Sequence, residues 1–324
     1  MSAPVTRRTL LRLAGAASLS MAAAAAARAE GFSILPDRQG AMFATATPIH
    51  VRDVTLRVRD LAGMTDYYRK VLGLDLIAET SDTRSLGAGG VSLLTLAHRP
   101  NAPFEPPTEA GLYHTAFLMP SRADLAAWLV HAAMLNVPMT GYADHAVSEA
   151  IYLDDPEGNG IEVYADRAPE LWGWNGDRVV MGSVAIDFDS LMALTDTSTD
   201  TYAAVPTGLR IGHIHLRAGQ VDSAAAFYNT ALGLDITSSR ADALFLSSGR
   251  YHHHVALNTW QSAGAGPRNP DATGLARFTL LLADPAQLPP LIAQLNAAGH
   301  ETAEADNGFS VIDPWGTVIG LVTA

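Results

Sequence analysis

The feature that most constrains this chain is that it repeats itself. Leu56-Arg57-Val58 leads to Tyr67-Tyr68 and then to Val71-Leu72-Gly73-Leu74-Asp75. At a constant offset of 160 positions, Leu216-Arg217-Ala218 leads to Phe227-Tyr228 and Ala231-Leu232-Gly233-Leu234-Asp235. A second unit recurs more loosely: Gly111-Leu112 and Gly274-Leu275 each open an apolar run, and Asp155-Pro156-Glu157-Gly158 answers Asp313-Pro314-Trp315-Gly316. A chain ordered A, B, A′, B′ is built from copies of one small unit, none of which buries a core alone.

Each copy reads alike. An opening strand (54–58, 211–216) precedes a helix whose apolar residues share one face, Met64, Tyr68, Val71 and Leu72 in A and Leu125, Trp128, Leu129 and Ala132 in B. Short β-rich runs follow, at 91–96, 150–153, 161–164, 243–246 and 254–257, with Asp-Pro-x-Gly as a tight turn between the last two strands. The expected fold is α+β: four βαβββ modules at 46–100, 109–167, 209–262 and 273–324, paired into two half-barrel domains. The halves 46–167 and 209–324 are expected as the two domains. The segment 168–208, rich in Trp, Asp, Ser and Thr, connects them and is long enough to act as a cover.

Composition removes whole classes of function. A net charge of −12, with no basic run beyond the N-terminus, argues against a nucleic-acid partner. The absence of cysteine excludes disulfides, zinc–thiolate sites, iron–sulfur clusters and thiol nucleophiles, leaving His, Asp and Glu as the strong metal ligands. At the N-terminus, Arg7-Arg8 precedes an Ala-rich apolar stretch and Ala27-Arg28-Ala29. This resembles a twin-arginine signal over 1–29, so the expected location is periplasmic, with no membrane contact after signal removal.

Histidines cluster in a chain with only 11 of them. His213 and His215 lie on the first strand of A′, His114 at the same place in B, and Glu162 on the last strand of B. A carboxylate in an apolar strand is costly to bury unless paired or metal-bound. Singly, each has a plainer reading: His114 a hydrogen-bonded core histidine, Glu162 an arginine partner, His145 a loop cap, His252–His254 a solvated edge, His215 filler.

Together these residues resemble the vicinal oxygen chelate (glyoxalase/extradiol dioxygenase) superfamily, in which ligands sit on the first strands of paired units and on a last strand. The resemblance implies His114, Glu162 and His213 as metal ligands; two His and a carboxylate suit Fe(II), and Mn(II) could occupy the same positions. From His145 through Tyr152 and Asp155-Pro156-Glu157-Gly158 to Glu162 the chain resembles the extradiol ring-cleavage signature, with Ala143 as a departure. The stretch His253-His254-Val255-Ala256-Leu257 resembles the strand carrying the acid–base histidine. The implied activity is that of a catechol 2,3-dioxygenase-like enzyme opening a catecholic small molecule with O2. His253 would be the acid–base group, and Tyr152 and His145 would orient substrate and oxygen. Strand alternation leaves His252 and His254 as alternatives to His253.

One departure shapes the expected architecture. Two-domain extradiol enzymes keep their ligands in the last two units, yet in B′ the matching places hold Arg277 and Gly320, and in A Asp53 replaces His213. The triad is complete only if B pairs with A′ and A with B′. If A pairs with B instead, the site would be Asp53, His114 and Glu162. A glyoxalase-like metal-dependent isomerase or lyase, and a non-enzymatic sequestering protein, are the competing functions for the same fold. A homo-oligomer stays open, although fused repeats supply what smaller relatives obtain by dimerising.

Overall fold

A computed structural model describes Thr9 and residues 42–305 and 307–324. The expected signal segment 1–29 therefore lies, apart from Thr9, outside the described residues. Among the described residues no helix is long and apolar enough to cross a membrane.

All four modules are present. The first comprises β1 (Ile49–Val58), α1 (Leu61–Val71), β2 (Asp75–Glu79), β3 (Thr83–Ala88) and β4 (Val91–His98). The second comprises β5 (Gly111–Leu118), α2 (Arg122–Met134), β6 (Gly141–Asp144), β7 (Ser148–Asp154) and β8 (Gly160–Asp166). The connector holds a two-stranded hairpin, β9 (Trp174–Asn175) and β10 (Arg178–Val179), and the short helix α3 (Phe188–Met192). The third module has β11 (Arg210–Arg217), a helix α4 that begins at Val221–Ala224 and continues as a π-helix over Ala225–Ala231, β12 (Asp235–Arg240), β13 (Ala243–Ser247) and β14 (Val255–Asn258). The fourth has β15 (Gly274–Leu282), α5 (Leu288–Ala297), β16 (Thr302–Ala305), β17 (Gly308–Ile312) and β18 (Val318–Thr323).

The two eight-stranded sheets do not follow the halves of the chain. One runs β16-β17-β18-β15-β1-β4-β3-β2 and joins the fourth module to the first; the other runs β12-β13-β14-β11-β5-β8-β7-β6 and joins the third to the second. Each sheet is closed at its centre by the antiparallel meeting of two opening strands, β1 with β15 and β11 with β5. The halves 46–167 and 209–324 expected as domains are thus not the sheet-forming units. The cause is that the opening strand of each module offers a free edge, and the partner that fills it comes from the other half.

Helix starts follow ordinary rules: the Asp60 carboxylate accepts from the Gly63 amide and the Ser121 hydroxyl from the Asp124 amide. The buried faces are those the periodicity marks, with Met64, Tyr68 and Val71 on α1 and Leu125, Trp128 and Leu129 on α2. One continuous apolar core contains residues from all four modules. The indole of Trp128, fully buried, donates to the Val71 carbonyl at 2.8 Å, tying α2 to the end of α1; truncating such a side chain costs about 3–5 kcal/mol.

Within each half, a repeated latch holds the two sheets together. Tyr68 of the first module donates to Asp155 Oδ2 of the second at 2.9 Å, and Tyr228 of the third donates to Asp313 Oδ2 of the fourth at 2.8 Å. Each aspartate begins an Asp-Pro-x-Gly turn, where Gly158 (φ 84°) and Gly316 (φ 89°) take left-handed backbone and donate to the aspartate carbonyls. The motif that reads as a turn in sequence is therefore also the receptor for a tyrosine from the neighbouring sheet. The connector packs over both sheets, with the Tyr202 hydroxyl donating to the Leu72 carbonyl and the Trp172 ring 5.6 Å from that of Tyr251.

Candidate metal centre

Three strands of the second sheet carry the site, and their register explains why three polar side chains meet inside an apolar sheet. Glu162 on β8 stands beside Ala116 on β5, and Ala116 stands beside His213 on β11. The residue in the middle of this row is small and fully buried, so the flanking side chains can lean over it. His114 lies two residues before Ala116 on β5 and so projects to the same face.

The outcome is convergence on one oxygen. Glu162 Oε2 is 2.9 Å from His114 Nε2 and 3.1 Å from His213 Nε2, and ligand atoms of the three residues all lie within 4.8 Å of one another. All three residues are buried. His114 Nε2, despite its proximity to the carboxylate, has no aligned hydrogen-bond partner. An imidazole nitrogen sealed from water without a hydrogen bond is costly as a polar group and well suited as a lone-pair donor. Two donors held about 2.1 Å from one ion at right angles lie about 3.0 Å apart, so both measured edges fit a shared cation.

Electrostatics point the same way. Burial opposes ionisation of Glu162, but the adjoining His213 and His114 outweigh it and hold the carboxyl well below the usual carboxylate range. Burial lowers His213 to about 4, only partly opposed by Glu162. The state consistent with both directions is an ionised Glu162 beside a neutral His213. A buried carboxylate is unfavourable unless its charge is compensated, and a metal cation would compensate it. The residues present therefore fit a metal of the kind bound by two imidazoles and one carboxylate.

Around this triad stand the other expected residues. His145 follows β6 in the turn to β7, where Ala146 takes φ 68° and its amide donates to Asp144 Oδ1 at 2.9 Å. That left-handed alanine costs about 1–2 kcal/mol, partly offset by the carboxylate cap. His145 Nδ1 donates to the Gly182 carbonyl of the connector at 2.7 Å, leaving Nε2 to accept from the Tyr152 hydroxyl, also at 2.7 Å. Tyr152 faces Glu162 across β7 and β8, with its ring 5.5 Å from that of His114. Burial, reinforced by the Glu162 charge, raises the Tyr152 phenol well above its ordinary value, so it stays protonated.

The histidine run 252–254 does not lie in the strand expected from 254 to 257; β14 begins at Val255, and the run precedes it in irregular backbone. The three side chains separate. His254 turns away to Thr47, Ser247 and the Ala44 carbonyl. His252 is fully buried and bonds Asp166. His253 alone keeps some surface, 9%, and its ring lies 4.1 Å from that of His213. Of the three, His253 is thus the one brought beside the triad. Desolvation, with His213 and His252 adjoining, holds its pKa well below the ordinary value.

Asp53, the ligand in the alternative pairing, lies in the other sheet beside Thr279, whose hydroxyl donates to it at 2.9 Å. The pairing of A with B is not formed. Sequence reasoning missed Ala116, whose signal was its place opposite His213, and the Gly182 carbonyl; His215, which the sequence leaves between a supporting role and filler, forms an aromatic wall, its Nε2 accepting from Asn258 at 3.0 Å and its ring 4.9 Å from Tyr113 and 5.6 Å from Trp260.

Comparison with known proteins agrees with this architecture. Residues 50–163 match the family model described as the Glyoxalase/Bleomycin resistance protein/Dioxygenase superfamily. The chain is 37% identical over 270 residues to a protein named catechol-2,3-dioxygenase from Bacillus subtilis (strain 168), covering 82% of this chain and 94% of that one. It is 27% identical over 126 residues to biphenyl-2,3-diol 1,2-dioxygenase 3 of Rhodococcus globerulus, covering 38% of this chain and 66% of that one. In fold, it resembles the crystal structure of glyoxalase I from Zea mays, with a TM-score of 0.55 at 14% identity over 87% of this chain and 94% of that one. With crosswise-paired βαβββ modules and an extended likeness to a full-length relative, the chain belongs to the glyoxalase/bleomycin resistance protein/dioxygenase superfamily.

Proposed function

We propose that this protein is an extradiol ring-cleaving dioxygenase, opening a catechol-type substrate with O2 at a non-haem Fe(II) held by His114, Glu162 and His213. The observation that carries this reading is the convergence of two imidazoles from different modules on one carboxylate oxygen, at 2.9 and 3.1 Å. The likeness to a named catechol-2,3-dioxygenase supports it. Held by His114, Glu162 and His213, Fe(II) would supply open coordination positions and a path for electron density between a diol and O2. Mn(II) suits the same donors.

The chain's own residues do the rest. Tyr152, a persistent phenol whose proton is directed to His145, offers its oxygen as an acceptor for a substrate hydroxyl and its ring as a wall. His145, held by the Gly182 carbonyl, keeps Tyr152 in one rotamer. His253, neutral and beside His213, takes a proton from the diol and returns one as the ring opens. Tyr113, Trp260 and Phe245 surround His215, their ring centroids 4.9, 5.6 and 6.0 Å from its own, and form with it an aromatic boundary suited to a flat ring. Both oxygen atoms end in the ring-opened product, so no external reductant is required.

The test is oxygen uptake by metal-stripped protein reloaded anaerobically with Fe(II) and mixed with catechol, beside Glu162→Ala. Iron-dependent uptake with a yellow ring-opened product, lost in the variant, is expected. Stoichiometric metal binding without uptake on any of several catechols would sink the dioxygenase and favour the isomerase or lyase reading.

A further inference from the structure

Behind His253 runs a chain of hydrogen bonds that reaches into another module. Asp166, the last residue of β8, accepts from the Tyr251 hydroxyl at Oδ2 (2.9 Å) and meets His252 Nε2 at Oδ1 (2.9 Å). His252 Nδ1 meets His253 Nδ1 at 2.8 Å. The Tyr251 hydroxyl in turn accepts from Tyr164, also on β8, at 2.8 Å. Tyr164 reaches this position by passing over Gly212, where a Cβ would stand 1.8 Å from its hydroxyl. His252 is wholly buried, its ring 4.1 Å from that of Tyr251 and edge-on to that of Trp172 at 5.1 Å.

With His252 neutral, the proton inventory of this chain has one solution. An ionised carboxylate only accepts, so His252 Nε2 carries a proton. A neutral His252 then has a bare Nδ1, which can only accept. Two facing imidazole nitrogens at 2.8 Å need one proton between them, so His253 Nδ1 must donate it. That leaves Nε2 of His253 bare, on the only ring of the three with exposed surface.

We propose that Asp166 and His252 are positioning residues for His253: the carboxylate sets the tautomer of His252, His252 sets that of His253, and His253 is left with its lone pair on Nε2. The proposal rests on His253 being the proton-transferring group of the function above. It explains why a buried histidine pair is tolerated beside the site: without Asp166, either nitrogen of His253 could hold the proton, and a share of the molecules would present a donor where the reaction needs an acceptor. Asp166 belongs to the second module and His252 to the third, so the relay, like the triad, exists only in the crosswise-paired sheet.

The tautomer can be read without metal, substrate or turnover. Long-range proton–nitrogen spectra of the full-length, metal-free protein, labelled with 15N-histidine and recorded near neutral pH, report which ring nitrogens carry protons; His253→Gln assigns the signals. The expected pattern is a protonated Nδ1 and bare Nε2 on His253, preserved in Tyr251→Phe and inverted or averaged in Asp166→Asn. A wild-type His253 protonated at Nε2 would overturn the proposal even if Asp166→Asn did not fold, as would an unchanged pattern in a folded Asp166→Asn. In the iron-loaded enzyme, Asp166→Asn is expected to lower kcat ~10–100-fold with KM and iron content as in the wild type, and Asp166→Glu to restore part of it. An unchanged kcat in Asp166→Asn would remove the positioning role. Absence of oxygen uptake in the wild-type protein would instead sink the dioxygenase reading and leave the tautomer result standing.

Discussion

The two sheets share one backbone plan and differ in what lines their concave faces. In the sheet built from the second and third modules, the row across three strands reads Glu162, Ala116, His213; in the sheet built from the first and fourth, the same row reads Gly320, Thr279, Asp53. His114 is answered by Arg277, and Tyr152, which faces Glu162, by Ser310, which faces Gly320. In the sheet of the second and third modules the row gathers a carboxylate and two imidazoles around one point. In the other, Arg277 donates to Thr279 Oγ1 at 3.2 Å and Thr279 donates to Asp53 at 2.9 Å, so opposite charges are joined through a hydroxyl that sits where a metal would. The fold supplies a cradle twice, and a handful of side chains decides whether it is a site or a plug.

This contrast can be broken in several ways. The largest expected effect is from Glu162→Gly, which copies Gly320: iron affinity measured by calorimetry or metal analysis should fall by more than ~100-fold, and a variant retaining stoichiometric iron would place the metal elsewhere. Next is Ala116→Thr, which copies Thr279 and sets a hydroxyl between Glu162 and His213. Iron affinity should fall ~10–100-fold, whereas Thr279→Ala in the other sheet should leave it unchanged. Tyr152→Phe should retain iron but lose ~10-fold or more in kcat by removing the hydroxyl that contacts His145; Ser310→Ala, its counterpart, should match the wild type in the same assay. The smallest effects sharpen the symmetry instead of the difference. Tyr68→Phe and Tyr228→Phe each remove one donor to a buried aspartate, and each should cost about 1–2 kcal/mol in denaturant unfolding; a large inequality would show that the two latches are not equivalent.

Much of the architecture was legible because repetition is a strong signal: an ungapped offset between Leu56–Asp75 and Leu216–Asp235 requires matching strands and helices. The crosswise pairing was legible only through chemistry. Nothing in the periodicity of β1 or β5 says which opening strand it will meet, but Asp53, Arg277 and Gly320 cannot complete a triad, and His213 can. The contiguous halves, by contrast, read as natural domains because proximity in sequence ordinarily means proximity in space, and here the sheets defeat that rule. The relay behind His253 was not legible. Asp166 lies just past the β-rich run at 161–164 and belongs to none of the motifs, and its partners Tyr251 and His252 lie 85 and 86 positions away. The irregular backbone at His254 reads as strand in the sequence, because Val255-Ala256-Leu257 extends the apolar pattern back to it.

Crosswise pairing has a consequence for how the molecule is made. While the first half leaves the ribosome, the segments of β1 and β5 lack the neighbours that close their sheets, because β15 and β11 are still unsynthesised. Two open edges must be kept from pairing with other nascent chains until the second half emerges, and long-range pairings of this kind form slowly. The same arrangement permits exchange between chains: the first half of one molecule could accept the second half of another, and a shortened 168–208 connector would favour that swapped dimer, with both His–Glu–His clusters complete. A solitary half, however well it folded, would carry either His114 and Glu162 or His213, and so could never assemble the cluster alone.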